Sequence, residues 1–301
     1  MDFDSFSALI RSKWRLLSMP LEICLKKYGP VYRDDAEWIL KFLSELTDHF
    51  GDDFEDVLSR YYDHVRDQAR DQKEFSRTGT YRYCREADVA DIIEDDLFKK
   101  KNLYILALSY LLSLHRYELL LYIRSFVASR IGTGSRCLQV GTGIGLETYL
   151  ADQHRAQIDS YDLNPYSSLC LELLQVSPAV RFIPTLYPFD EPGAFDHCLM
   201  VELLEHLEDP ADFLGRLCGV MKRGGDALLT FAIRMPQIDH IYCFRTVSEA
   251  RDLIVGSGLE IEDEDYFISS FLGFDESRKE ELAESSEYPA VYACVARKPL
   301  I

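Results

Sequence analysis

The chain has 301 residues, and its 51 acidic side chains outnumber 33 basic ones, leaving a formal charge of −18. That balance repels phosphate backbones and anionic membrane surfaces, which argues against nucleic acid or a membrane as partner. With 47% apolar residues, the chain can bury one large core or two modest ones.

Helical spacing dominates the first part. Trp38, Ile39, Phe42, Leu43 and Leu46 form one run, and Phe54, Val57, Leu58, Tyr61, Tyr62 and Val65 form the next, with Gly51 between them. Arg77 to Cys84, which contains Gly79, reads as a loop. Helix resumes from about Asn102 to Arg130. Its most apolar stretch, Leu103 to Leu114, is too short to span a bilayer and runs into His115 and Arg116, so it reads as a buried helix. Gly132-Thr133-Gly134-Ser135 then breaks the pattern. Residues 1–131 are therefore expected to form a helical lid or substrate domain, and residues 132–301 a second domain.

In that second part strand signals fall near 136–140, 157–162, 180–184, 195–201, 226–233, 260–268 and 290–297. Helices are expected between the first five strands, and another over about 246–256. The alternation implies an α/β fold with a mostly parallel sheet of seven strands. The last two strands are joined by an acidic loop with no long crossover, so one antiparallel edge strand is expected. The eight cysteines are scattered without a C-x-x-C pair, as in a cytoplasmic chain with free thiols. The N-terminus lacks the basic region of a signal peptide.

The most informative stretch is Leu138-Gln139-Val140-Gly141-Thr142-Gly143-Ile144-Gly145, with Asp162 at the end of the next strand, 21 residues after Gly141. Glycines let the backbone approach a ligand, and an acid at that distance accepts hydrogen bonds from ribose hydroxyls. The tight G-x-G-x-G pattern suits a nucleotide ligand without a pyrophosphate. In an open α/β sheet the ligand lies beyond the carboxyl ends of the strands, which places Gly141, Thr142 and Gly143 beside it.

This segment resembles the first motifs of class I S-adenosylmethionine-dependent methyltransferases. Phe195-Asp196, the strand to Val201, and Glu202-Leu203-Leu204-Glu205-His206-Leu207-Glu208-Asp209-Pro210 resemble the fourth-strand region of that family. Arg223-Gly224-Gly225 and Gly256-Ser257-Gly258-Leu259 are similar to its turns before the fifth and sixth strands. The resemblance covers about residues 136–300 and is nearest to ubiquinone-biosynthesis-type O-methyltransferases. It implies a Rossmann-like core and S-adenosyl-L-methionine as cofactor. Asp162 would hold the ribose, Leu163 would lie beside the adenine, and Met200 and Val201 would flank the cofactor. The family often has an acid after the third strand, but here Pro184-Thr185-Leu186-Tyr187 stands there.

Glu202, Glu205 and His206 stand at i, i+3 and i+4, one face if the stretch is helical, and His240 follows later. Two carboxylates and two imidazoles can coordinate Mg²⁺ or Mn²⁺, and the set is similar to that of metal-assisted O-methyltransferases. His206 or His240 could instead act as a general base, or the set could be structural. His49, His64, His154 and His197 read as surface or packing residues. His115 and Tyr117, just before the first strand, either touch the cleft or form the polar side of a buried helix. Tyr81 and Tyr83 are candidates for the same cleft.

The expected function is methylation of a small molecule, on oxygen, in secondary metabolism and natural-product biosynthesis. Two alternatives stay open: a cofactor-binding enzyme of the same fold with another reaction such as cyclisation, and a non-catalytic interaction protein. A homodimer is an open expectation.

Overall fold

The computed structural model describes residues 1–185, 189–270, 276–285 and 288–300. Seven helices come first: α1 (Phe3–Lys13), α2 (Arg15–Tyr28), α3 (Pro30–Phe50), α4 (Phe54–Thr78), α5 (Glu86–Glu94), α6 (Asp96–Leu112) and α7 (Leu114–Arg130). Gly51 and Gly79 stop α3 and α4 in the left-handed conformation, at the points where their Cα geometry requires glycine. The helix expected over 102–130 is two helices. Ser113 adopts an extended conformation between them, and its hydroxyl bonds the His115 ring at 2.8 Å.

The second part alternates as β1 (Arg136–Val140), α8 (Leu146–Gln153), β2 (Gln157–Tyr161), α9 (Tyr166–Leu173), β3 (Val180–Ile183), β4 (Phe195–Met200), α10 (Pro210–Val220), β5 (Met221–Ile233), α11 (Val247–Gly256), β6 (Glu260–Ile268), α12 (Lys279–Glu284) and β7 (Ala290–Arg297). No helix joins β3 to β4 among the described residues, contrary to expectation. Leu186 and Tyr187, which follow β3, lie outside the described residues.

The seven strands form one sheet in the order β3-β2-β1-β4-β5-β7-β6, a mostly parallel Rossmann-like arrangement. The antiparallel strand is β7, and it lies inside the sheet, not at the edge: β7 pairs antiparallel with both β5 and β6. Composition explains the swap. Every residue from Ala290 to Ala296 is buried, as an interior strand requires. Glu260-Ile261-Glu262-Asp263-Glu264-Asp265 carries charges that suit an exposed edge and discourage further pairing.

The helical part and the sheet share their packing. Leu119, Ile123, Phe126 and Val127 of α7 join Cys137, Leu199 and Leu228 in one apolar cluster on a sheet face. Phe6, Ile10, Leu40, Leu43 and Leu108 from the preceding helices form another, with Ile144, Leu146, Cys170 and Leu174 of the sheet half. No helix among the described residues is long and apolar enough to cross a membrane.

Candidate functional site

β1 ends at Val140 and the chain turns at once beyond the strand end. The Gly141 and Thr142 N–H groups both donate to the Tyr161 carbonyl, at 2.9 and 3.1 Å, tying the turn to the end of β2. Gly143 has φ of 51°, and its N–H donates to Asp162 Oδ2 at 2.7 Å. A Cβ there would stand 3.2 Å from a methyl of Leu106 on α6, so the position needs glycine both for its conformation and for the closeness of that helix. Asp162 Oδ1 accepts the Asn164 N–H at 2.7 Å. Burial raises the Asp162 pKa, and these two N–H groups oppose the rise. The carboxylate is thus oriented by backbone at both oxygens, and each oxygen keeps a further lone pair for an incoming hydroxyl.

The other residues expected around a cofactor are placed differently. Leu163 is 49% exposed beside Asp162. The Thr142 side chain turns inward, its hydroxyl meeting Ser160 Oγ at 2.8 Å and the Tyr161 carbonyl at 3.1 Å, so it braces the turn. Met200 is sealed in one apolar cluster and Val201 in another.

α6 lies over this turn. Asn164 Nδ2 donates to the Lys99 carbonyl at 3.1 Å and the Tyr166 hydroxyl to Asp96 at 2.6 Å. The His115–Tyr117 segment reaches the strand ends through Arg116. Tyr117 points into the helices, where its hydroxyl donates to Asp35 at 2.8 Å. Arg116 is buried, pairs with Glu202 at 3.2 Å and lies over the Tyr110 ring at 4.8 Å. Tyr110 in turn donates to Glu147 at 3.3 Å, whose pKa burial raises. Sequence reasoning marked the segment that carries Arg116 but missed its partners Tyr110 and Glu147: the three come from different elements, and no spacing links them.

The E-x-x-E-H stretch is not an α-helix. Only Leu204–His206 forms a short 3₁₀ turn, and Glu202 has a left-handed φ of 51°. The Glu202 N–H donates to Thr230 Oγ1 at 2.7 Å, which anchors it to β5 and turns the chain before a helix can begin. Glu202 therefore does not share a face with the other two. Its carboxylate goes to Arg116 and to the Thr230 hydroxyl, the latter at 3.2 Å.

Glu205 turns fully inward, and neither carboxylate oxygen has a hydrogen-bond partner. His240 Nδ1 lies 2.7 Å from the Met235 carbonyl, so that nitrogen carries the proton, and Nε2 faces Glu205 Oε1 at 4.0 Å. His206 Nδ1 bonds the Asp239 carbonyl at 3.0 Å. The two imidazole rings lie 4.8 Å apart, edge to face. One ligand atom each from Glu205, His206 and His240 lies within 4.8 Å of the others. Burial pushes Glu205 up to about 8, helped by the nearby Glu202 charge. Burial, reinforced by His206, pushes His240 down to about 3. Burial also disfavours charge on His206, but Asp239 and Glu205 outweigh it and hold its pKa above the ordinary imidazole value. Asp239, adjacent to His240 in the sequence, is the partner that spacing could have suggested. His64 is also drawn into this end, with burial lowering it to about 4. Tyr81 stands beside His240, its ring 6.3 Å away.

A glycine turn and an acid held by backbone N–H groups lie at the carboxyl ends of β1 and β2, on a sheet of order β3-β2-β1-β4-β5-β7-β6. Residues 138–229 match the family model described as a methyltransferase domain, and the motifs of this segment are similar to those of class I S-adenosylmethionine-dependent methyltransferases. The ubiquinone biosynthesis O-methyltransferase of Xanthomonas campestris pv. campestris is 31% identical over 118 residues, which are 37% of this chain and 49% of that one. The same enzyme of Xanthomonas euvesicatoria is 30% identical over the same shares. The chain thus spans about half the length of the curated relatives it matches. Among solved structures, phosphoethanolamine N-methyltransferase 2 of Haemonchus contortus in complex with S-adenosyl-L-methionine has a TM-score of 0.52 at 16% identity, over 71% of this chain and 60% of that one, a likeness of fold.

Proposed function

We propose that the protein is a methyltransferase that binds S-adenosyl-L-methionine and methylates a hydroxyl of a small molecule in the cytoplasm, as a tailoring step of secondary metabolism. The observation that carries this reading is Asp162, held by two backbone N–H groups directly below the left-handed Gly141–Gly143 turn. Gly141 and Gly143 would lie along the methionine part, Asp162 would accept from the ribose, and Leu163 would cover the adenine. When bound, the cofactor would supply a sulfonium methyl group for transfer to the acceptor oxygen, leaving as the neutral sulfide while the hydroxyl gives up its proton. The protein's part is alignment of the two, and removal of that proton. Residues 1–131 serve as lid and substrate part, 132–301 as the cofactor part. The curated relatives' names support oxygen as the acceptor.

Glu205, His206 and His240 would hold a divalent cation. The fit rests on Glu205, a buried carboxylate with no hydrogen-bond partner, facing an imidazole whose other nitrogen is already fixed by a carbonyl, the usual arrangement of a ligating histidine. Two nitrogens and one carboxylate suit Mn²⁺ better than Mg²⁺, which prefers oxygen. The cation would lower the pKa of the acceptor hydroxyl. Glu202 is assigned to Arg116 instead. A second reading, His206 as general base, is favoured by its Asp239 partner. Formation of S-adenosylhomocysteine with and without chelator separates them. Loss of turnover restored by Mn²⁺ supports the cation; activity in chelator that disappears in His206→Ala supports the base. Full activity of His206→Ala and His240→Ala in chelator eliminates both.

A further inference from the structure

A cavity opens beside Tyr81, whose ring neighbours His240. It has a volume of about 530 Å³ and lies between the last turns of α4, the segment after it, and residues 236–238 beyond β5. Its inner wall is aromatic: Phe75 is buried, and its ring lies 5.3 Å from that of Tyr81, tilted by 59°. Pro236 and Ile238 also line it, and Ile238, a large apolar side chain, is 40% exposed. At the rim Arg82 and Asp71 lie 3.6 Å apart, so the entrance has no net charge from this pair. Tyr81 is the wall shared with the site described above: its ring lies 6.3 Å from His240, which packs against His206. The Tyr81 hydroxyl is buried, next to the Cys243 thiol and the Met235 backbone.

We infer that this cavity admits the acceptor and takes an uncharged planar aromatic ring, with Phe75 and Tyr81 as the specificity-determining residues. The inference rests on the methyltransferase reading and names the acceptor class of that same site. The volume lies in the range of small-molecule sites, which join apolar and aromatic walls to a few polar groups. Two tilted rings offer a third ring both a face and an edge, a gain that a saturated ligand of equal size does not receive. Two cationic and two anionic side chains, Arg70 and Arg82 with Asp71 and Glu74, line the cavity, so its charge balance favours neither an anionic nor a cationic acceptor. Tyr81 sets how far the ring advances toward His206 and His240.

The probe is 2-naphthol, with decahydro-2-naphthol as the saturated comparison, titrated by calorimetry into the full chain saturated with S-adenosylhomocysteine. The expected result is naphthol binding at least about tenfold tighter than the saturated alcohol, a gap of about 1.4 kcal/mol. Phe75→Leu and Tyr81→Leu should each weaken naphthol at least about fivefold, Tyr81→Phe should retain it, and S-adenosylhomocysteine affinity should be unchanged in all three. If Phe75→Leu does not fold, Ile238→Trp at the exposed rim narrows the cavity without touching the core and should weaken naphthol likewise. Equal binding of the two alcohols, or naphthol affinity unmoved in folded Tyr81→Leu and Ile238→Trp, overturns the inference. Failure of the cofactor reading looks different: S-adenosylhomocysteine itself would not bind.

Discussion

The two ends of the cleft are built on opposite principles. At the glycine end the one carboxylate, Asp162, has both oxygens held by backbone N–H groups at 2.7 Å. At the histidine end the buried carboxylate, Glu205, has neither oxygen held. The first end is complete in itself and, on the proposed reading, has only to receive hydroxyls. The second leaves a costly buried group for something else to satisfy, because a buried acceptor without a partner forfeits its hydration. Preorganisation at one end and deficit at the other suggest that cofactor recognition is separate from the chemistry of the acceptor.

The most severe test of that separation removes the helices that cover both ends. Deleting residues 1–131 should abolish the cooperative thermal transition, because Leu119, Ile123, Phe126 and Val127 fill the cluster on the sheet. A folded, cofactor-binding remnant would show the sheet half to be autonomous. Next in size, His206→Ala should lower turnover by about 10²-fold or more, the usual share of a positioned acid or base, while leaving cofactor affinity within about twofold. If His206 is the base, the rate in chelator should rise with pH through a value above the ordinary imidazole range, since the Asp239 and Glu205 charges stabilise its protonated form. A profile centred below that range would count against it.

At the other end Asp162→Ala should weaken S-adenosyl-L-methionine by at least about tenfold, as hydrogen bonds to a charged group contribute about 1.5–3 kcal/mol each, without altering metal content. Calorimetry and elemental analysis of the same preparation decide it. The smallest effect concerns stability. Glu205 holds its proton more tightly folded than unfolded, so in chelator the folded state should be most stable below about pH 4.5 as far as this group decides, and lose that contribution as pH rises toward about 8. Glu205→Gln should flatten this fall and melt a few degrees higher than the parent at pH 8–9. Adding Mn²⁺ should raise the parent's melting temperature and leave the variant unmoved; an identical response from both proteins would remove the cation from this site.

The glycine end was legible in the sequence because its parts are local: a strand, a turn and an acid at fixed spacing, all on neighbouring parallel strands. The strands themselves were legible for the same reason, from their short apolar runs. The histidine end was legible in composition and misleading in geometry. Periodicity put Glu202, Glu205 and His206 on one helical face, but a single hydrogen bond from Glu202 to Thr230 on the next strand breaks that helix. The pairing of Arg116 with Glu202 was hidden because the two lie far apart in the chain. The position of β7 was hidden because a two-stranded return can place either strand outermost, and only the contrast between an acidic β6 and an apolar β7 decides which is buried.

The inserted β7 also sets the order in which the sheet can be completed during synthesis. β5 leaves the ribosome with one side of its hydrogen-bonding ladder open, and β6 has no partner of its own, until residues 290–297 emerge and fill the gap between them. At a synthesis rate of about 5–20 residues per second the nascent protein therefore carries two unpaired strand flanks for the interval between the emergence of β6 and that of β7. A message cut short before codon 290 would yield a chain with those flanks permanently open, a template for clumping with its neighbours.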